Sequence, residues 1–231
     1  VMIESERTVG GKSSTEQRYY IASVAKLPAA AALRDARAHW GIENGLHWVL
    51  DVAFREDDCR VRVDNAAQNF AVMRHIAGKR GEDPEMWGVV GLIHDLDYHR
   101  FPNEHCRKTG EILHERGWPE EYVRAAVSHG WGICTDVEPK SLLERYLYAI
   151  DELTGLVAAT ALVRPSRSVL DMEAKSVKKK WKDRAFAAGV DRGLIEKGAA
   201  ILGVDLAELI TDTIMGMRSV AQEIGLKGNV A

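Results

Sequence analysis

From Asn65 onward the chain is cut by helix-start and helix-stop signals at intervals so short that only a bundle of helices can accommodate them. Asp83-Pro84-Glu85 sets an acid at an N-cap, proline at the first helical position and a second acid in the first turn. The helix it opens holds Trp87, Val90, Ile93 and His94. Asn103 is expected to cap the next helix, which Gly117 closes; Pro119 opens another, which Gly130 closes. Ser141 with Glu144 forms a capping box for a long helix through Tyr146, Leu147, Ile150, Leu153 and Val157. Asp205 with Glu208 forms a second box. Ahead of these, NAAQNFAVMRHIAGKR carries Ala66, Phe70, Met73 and Ala77 on one helical face. The expectation is a mainly α protein whose residues 65–231 form an all-α bundle.

Residues 1–64 have a different texture. Glu4 to Val9 and Gln17 to Ser23 read as extended runs around a Gly10-Gly11 turn. An alanine-rich helical stretch follows Pro28, and Gly41 and Gly45 make it either one kinked helix or two shorter ones. Arg55 to Asp64 is charged and unpatterned, as in a loop. The expected organisation is a short α+β segment over 1–64 followed by a helical domain over 65–231.

Several function classes are disfavoured at once. The 31 Lys+Arg and 34 Asp+Glu leave a net charge of −3, so nucleic acid is not a favoured partner of the whole molecule. The longest uncharged, mostly apolar stretch, Leu153 to Val163, falls far short of the roughly 20 residues of a bilayer span. Acidic residues near the start and no apolar signal core argue against secretion. Cys59, Cys106 and Cys134 form no CxxC pair, which excludes a disulfide scaffold or thiolate zinc cage on linear spacing. A cytoplasmic, soluble protein is expected. Gly10-Gly11-Lys12-Ser13 lacks the leading glycine of a phosphate loop. The basic run Lys175 to Arg184 around Trp181 is read as a solvated helix face.

The residues that carry chemistry are His94, Asp95, His105, His129 and Asp151. His94 and Asp95 end an apolar helix. His105 shares a face with Thr109 and Ile112, and His129 with Tyr122 and Ala126. Asp151 lies one turn after Leu147, inside an apolar face, where a carboxylate costs several kcal/mol unless paired or bound to a metal. Imidazoles and carboxylates turned inward from separate helices make a nitrogen/oxygen site for a divalent cation.

The His94-Asp95 doublet followed by His105, His129 and Asp151 in a helical chain resembles the HD-domain metal-dependent phosphohydrolases, over about residues 73–231. The resemblance implies that His94, Asp95 and Asp151 hold a divalent metal (manganese, iron, zinc or magnesium). It implies that His105 and His129 match the additional histidines of two-metal members, and that Asp95 is catalytic. The implied reaction is attack of water on a small phosphorylated substrate, a nucleotide or other phosphate ester, with the cation lowering the pKa of water and neutralising phosphoryl charge. The family pattern begins with a further histidine. Matched on AVMR, that position falls near Asn65; His75, ten residues on, is about 15 Å along the helix and on another face.

IESERTVGGKSSTEQRYYIAS, RAHWGIENGLHWVLDVAFREDD and NAAQNFAVMR resemble the C-terminal end of insertion-sequence DDE transposases, the tail of a ribonuclease-H-like domain, over about residues 2–74. By that resemblance Glu43 matches the third catalytic carboxylate; the other two lie upstream in the family. Together these likenesses imply an HD-type phosphohydrolase lacking its first His ligand. The alternative is a non-catalytic fusion fragment or a transposase remnant with DNA-binding ancestry.

Overall fold

The computed structural model describes residues 2–9, 12–19 and 66–230, in two units, Val1–Arg60 and Val61–Ala231. Glu43, Cys59, Asn65, the helical stretch after Pro28 and the loop over 55–64 lie outside the described residues.

In the first unit β1 (Met2–Val9) and β2 (Lys12–Tyr19) pair antiparallel, with Val9 opposite Lys12 and Met2 opposite Tyr19. Only two residues separate the strands, so pairing restarts immediately after the turn and β2 begins before the expected Gln17.

Among its described residues the regular structure of the second unit is helical apart from one isolated bridge between Trp131 and Thr135. Its helices are α1 (Ala66–Arg80), α2 (Pro84–Ile93), α3 (Arg107–Glu115), α4 (Glu120–Ser128), α5 (Leu142–Leu162), α6 (Ala174–Trp181), α7 (Arg192–Leu202) and α8 (Leu206–Ser219). Helix α2 starts as its sequence requires: Asp83 accepts from the backbone N–H groups of Glu85 and Met86, and Pro84 follows. In α5 the capping box is complete, with Ser141 Oγ accepting from Glu144 N–H and Glu144 reaching back to Ser141 N–H. Glu144 is buried and also pairs with Arg124 of α4, so one carboxylate starts α5 and ties α4 to it.

Two starts differ from expectation. Asn103 sits inside a single 3-10 turn, Pro102–Glu104, and α3 begins later, with Cys106 at its N-cap. Asp205 caps α8 through Ala207 N–H, but Glu208 does not close a box; it is drawn to Lys79 and Arg80 of α1.

Helix α5 is the axis of the bundle. It packs against α1, α4, α6, α7 and α8 and buries Tyr146, Leu147, Ile150, Leu153, Leu156 and Val157. Helix α1 lies between α2 and α8 and contributes Val72, Met73, Ile76 and Ala77 to the same core. Ala66, Met73 and Ala77 are buried as expected, but Phe70 is only half-buried, under the Arg74 guanidinium. The buried stripe of α1 runs instead through Asn69, Val72, Met73 and Ile76. A smaller cluster of Ile93, Leu113, Val123 and Ala126 joins the ends of α2, α3 and α4. No helix among the described residues is long and apolar enough to cross a membrane.

Candidate metal centre

His94 is the C-cap of α2, His129 the C-cap of α4, and Asp151 lies in the third turn of α5. Asp95 follows His94, and His105 precedes α3. Five residues from four segments therefore converge. His94 is fully buried and His129 nearly so. Asp95, His105, His129 and Asp151 line one cavity of about 300 Å³ with Tyr98 and Glu152, and His94 stands behind them.

The orientation of the imidazoles decides what the cluster can do. His94 Nδ1 lies 2.9 Å from the Gly91 carbonyl, and His129 Nδ1 is bonded to the Ala126 carbonyl. A carbonyl only accepts, so both Nδ1 atoms carry hydrogen and both Nε2 lone pairs are directed inward. His105 Nδ1 lies 2.7 Å from Asp97, whose other oxygen accepts from Thr109 N–H at 2.8 Å. Thus all three rings are tied by Nδ1 and offer Nε2 to the centre, as second partners orient metal-bound histidines.

Those Nε2 atoms face carboxylates. His94 Nε2 is 3.1 Å from Asp95 and 3.2 Å from Asp151. His129 Nε2 is 3.2 Å from Asp95 and His105 Nε2 is 3.4 Å from it. Between His105 and His129 the two Nε2 atoms are 3.1 Å apart. Lone pairs facing carboxylates and each other repel unless a proton or a cation lies between them. Burial would discharge His94, but Asp95 and Asp151 outweigh it and raise its pKa well above the ordinary histidine range. Burial likewise opposes ionisation of Asp95, yet His94 and then His129 hold its carboxyl far below the usual range. Asp151 is lowered by His94 against the effect of burial. His94, His129 and Asp151 form one donor set and Asp95, His105 and His129 another, with donor atoms in each within 4.8 Å of one another. The donors suit one or two divalent cations of borderline to hard character.

Asn69 completes the inner face. Its amide Nδ2 donates to Asp151 at 2.8 Å and lies 3.2 Å from His94 Nε2, while its buried carbonyl oxygen makes no hydrogen bond among the described residues. Gly91 makes this possible: a Cβ there would come within 2.7 Å of the Asn69 carbonyl of the main chain, so only glycine lets α1 approach α2 so closely. The sequence expectation put a stand-in for the missing imidazole at Asn65, which lies outside the described residues. Asn69, one turn on, is the α1 side chain that meets His94 and Asp151. Its signal in the sequence is a polar residue inside an otherwise apolar stripe.

Four further residues escape linear reading. Asp97, fully buried, positions His105. Glu152 borders the cavity, and burial first, then neighbouring Asp151, pushes its pKa up. Cys106 and Cys134, remote in sequence, are neighbours in space; contact with Cys106 and the nearby His105 and His129 bring the Cys134 thiol down to about 6, against burial.

Comparison with known proteins covers the first third of the chain. Residues 7–77 match the family described as Transposase DDE domain. Over 60 residues, 26% of this chain and 16% of the relative, the sequence is 53% identical to the H repeat-associated putative transposase YhhI of Escherichia coli (strain K12). The same figures hold for the putative protein YbfL of that strain. The putative transposase YncI of Escherichia coli O157:H7 is 45% identical over 60 residues, 26% of this chain and 15% of the relative. The chain thus spans about a sixth of the length of the curated relatives it matches. No solved structure matches it. The family match stops inside α1, so Asn69 lies within it while the five converging residues lie beyond it: residues 7–77 are similar to a transposase fragment.

Proposed function

We propose that the helical unit is an HD-type, metal-dependent hydrolase of a phosphate ester, and that residues 7–77 derive from a transposase. The observation that carries the hydrolytic reading is the anchoring of three Nδ1 atoms with three Nε2 atoms turned toward Asp95. An idle histidine cluster has no need of such alignment. His94, Asp95 and Asp151 would hold the cation, with His105 and His129 extending the set to a second. The bound cation supplies an acidified water and neutralises phosphoryl charge. Asp95, central to the imidazoles, would orient the attacking water beside the cation. Glu152, which borders the cavity, stands where it can protonate a leaving oxygen. Lys197 places its ammonium over Trp131 and Tyr148, and Tyr148 borders the cavity, so a cationic group lies at hand for an anionic substrate.

The test joins metal analysis with turnover. Wild type reconstituted with manganese, iron or zinc should bind metal and hydrolyse an activated phosphomonoester or phosphodiester. Asp95→Ala should lose manganese binding and turnover, whereas Glu152→Gln should keep the manganese and lose rate. A wild-type chain that takes up no metal from any of the three refutes the reading.

A second reading, a transposase remnant that binds DNA without hydrolysing anything, is favoured by the match over 7–77. Exposed Lys175, Lys178, Lys179, Lys182 and Arg184 add a cationic face on and after α6. Affinity for duplex DNA that falls steeply with salt, together with no metal uptake, would favour it over the first.

A further inference from the structure

Cys106 and Cys134 take no part in the hydrolytic reading, yet the fold works to bring them together. Cys106 is the middle residue of a three-residue turn, in which Arg107 N–H donates to the His105 carbonyl at 2.8 Å and Cys106 takes φ 64° and ψ −45°. A residue bearing a Cβ is rare there. The turn leaves Cys106 fully buried at the N-cap of α3. Cys134 comes from the segment after α4, where its thiol donates to the Gly130 carbonyl at 3.7 Å. The two sulfurs converge on Gly130: a Cβ at that position would collide with both. His105, Cys106 and Cys134 thereby offer one nitrogen and two sulfurs within 4.8 Å of one another.

We infer that Cys106, Cys134 and His105 form a zinc site of two thiolates and one imidazole, separate in chemistry from the nitrogen/oxygen centre beside it. Soft thiolates favour zinc over magnesium or manganese, and three protein donors leave a tetrahedral ion one open position. His105 can contribute only Nε2, because Nδ1 is held by Asp97. That same Nε2 faces Asp95 and His129, so a zinc ion on the sulfurs withdraws His105 from the carboxylate side. Access is open from two directions. A cavity of about 490 Å³ bordered by both cysteines, Glu111 and Arg124 lies on one side, and Cys134 also borders the cavity of Asp95 and Asp151. This inference does not rest on the hydrolytic reading: the two sites share only His105, the sulfur donors belong to this one alone, and the signal it predicts is different.

The experiment uses the full chain carrying Cys59→Ser, because Cys59 lies outside the described residues. The protein is reduced, freed of metal and titrated with cobalt(II) and then zinc without oxygen. The expected result is a near-ultraviolet sulfur-to-cobalt charge-transfer band that zinc abolishes. Cys134→Ser should remove the band and lower zinc affinity by at least the roughly 10–100-fold that loss of an outer partner alone costs. The double variant His94→Ala, Asp151→Ala should keep the band, which separates this site from the hydrolytic one. Because Cys134 is exposed, that variant reports even if removal of buried Cys106 unfolds the chain. No band in the reduced protein, or a band that survives Cys134→Ser, overturns the inference.

Discussion

Asn69→His is the substitution through which the centre can be probed from the inside. The Asn69 amide nitrogen lies 2.8 Å from Asp151 and 3.2 Å from His94 Nε2, within the shell that a cation held by those two residues would occupy. In histidine, Nδ1 hangs from Cγ as the amide nitrogen does in asparagine, so a lone pair replaces a donor at that place. One more imidazole should strengthen binding of zinc, iron or manganese about tenfold or more, at ~1.4 kcal/mol per decade. Without metal the change is unfavourable. The larger ring enters a site with no exposure, which costs about 1–3 kcal/mol, and the hydrogen bond to ionised Asp151 is lost, a further ~1.5–3 kcal/mol. At roughly 2–4 °C per kcal/mol for a domain of this size, the metal-free Tm should fall by about 5–24 °C. Excess metal at ~100 times Kd should return about 2.7 kcal/mol of that. The assay is thermal unfolding with and without zinc or manganese, alongside competition with a chromophoric chelator. Equal Tm losses with and without metal, and an unchanged Kd, would refute the placement of Asn69 at the cation. A gain in Asn65→His with none in Asn69→His would assign the facing position to residue 65.

Two other outcomes follow from the same geometry. The raised His94 pKa means that its ion pairs with Asp95 and Asp151 contribute fully below the ordinary histidine value of 6.5 and are lost as pH rises through the raised value. The lowered carboxylates contribute above their ordinary 3.8 and lose that contribution as pH falls through the depressed values. Metal-free stability should therefore peak between these limits and decline on the alkaline side, while zinc affinity rises there because the cation competes with the His94 proton; a metal affinity that does not change from about pH 6 to pH 8.5 would contradict this. Gly91→Ala should push α1 from α2, lowering stability by more than the ~1–3 kcal/mol of ordinary overpacking, with a matching fall in Tm, and weakening metal binding, since the atom it meets is main chain and cannot swing aside. Unchanged Tm would show that α1 does not approach α2 as described.

Much of the second unit was legible because caps are local chemistry. Asp83-Pro84 and Ser141 with Glu144 mark helix starts whose partners lie within four residues, and the fold keeps them. Where a side chain had a stronger distant partner the local rule failed: Glu208 is attracted to Lys79 and Arg80, and Asn103 yields to the turn that sets Cys106. His94, Asp95, His105, His129 and Asp151 could be grouped from the sequence because a charge or imidazole on an apolar face demands company. Asp97 could not, since its value lies in reaching His105 across a turn. The cysteine pair was hidden for the same reason, as linear spacing says nothing about two loops that meet at a glycine.

Helix α1 has one more implication. Likeness to transposases stops at residue 77, while the helix runs on to Arg80 and its buried stripe at Asn69, Val72, Met73 and Ile76 serves a single core. A helical segment acquired from another gene meets a test of phase before any test of chemistry. Each residue gained or lost at such a junction turns everything upstream by about 100°, so a crossover out of step by one would carry Arg74 or His75 inward. In-phase crossovers are therefore the viable ones, and they hand over whichever side chain happens to ride at the stripe. On the transposase origin proposed for residues 7–77, the amide beside His94 would be a passenger of the acquired helix.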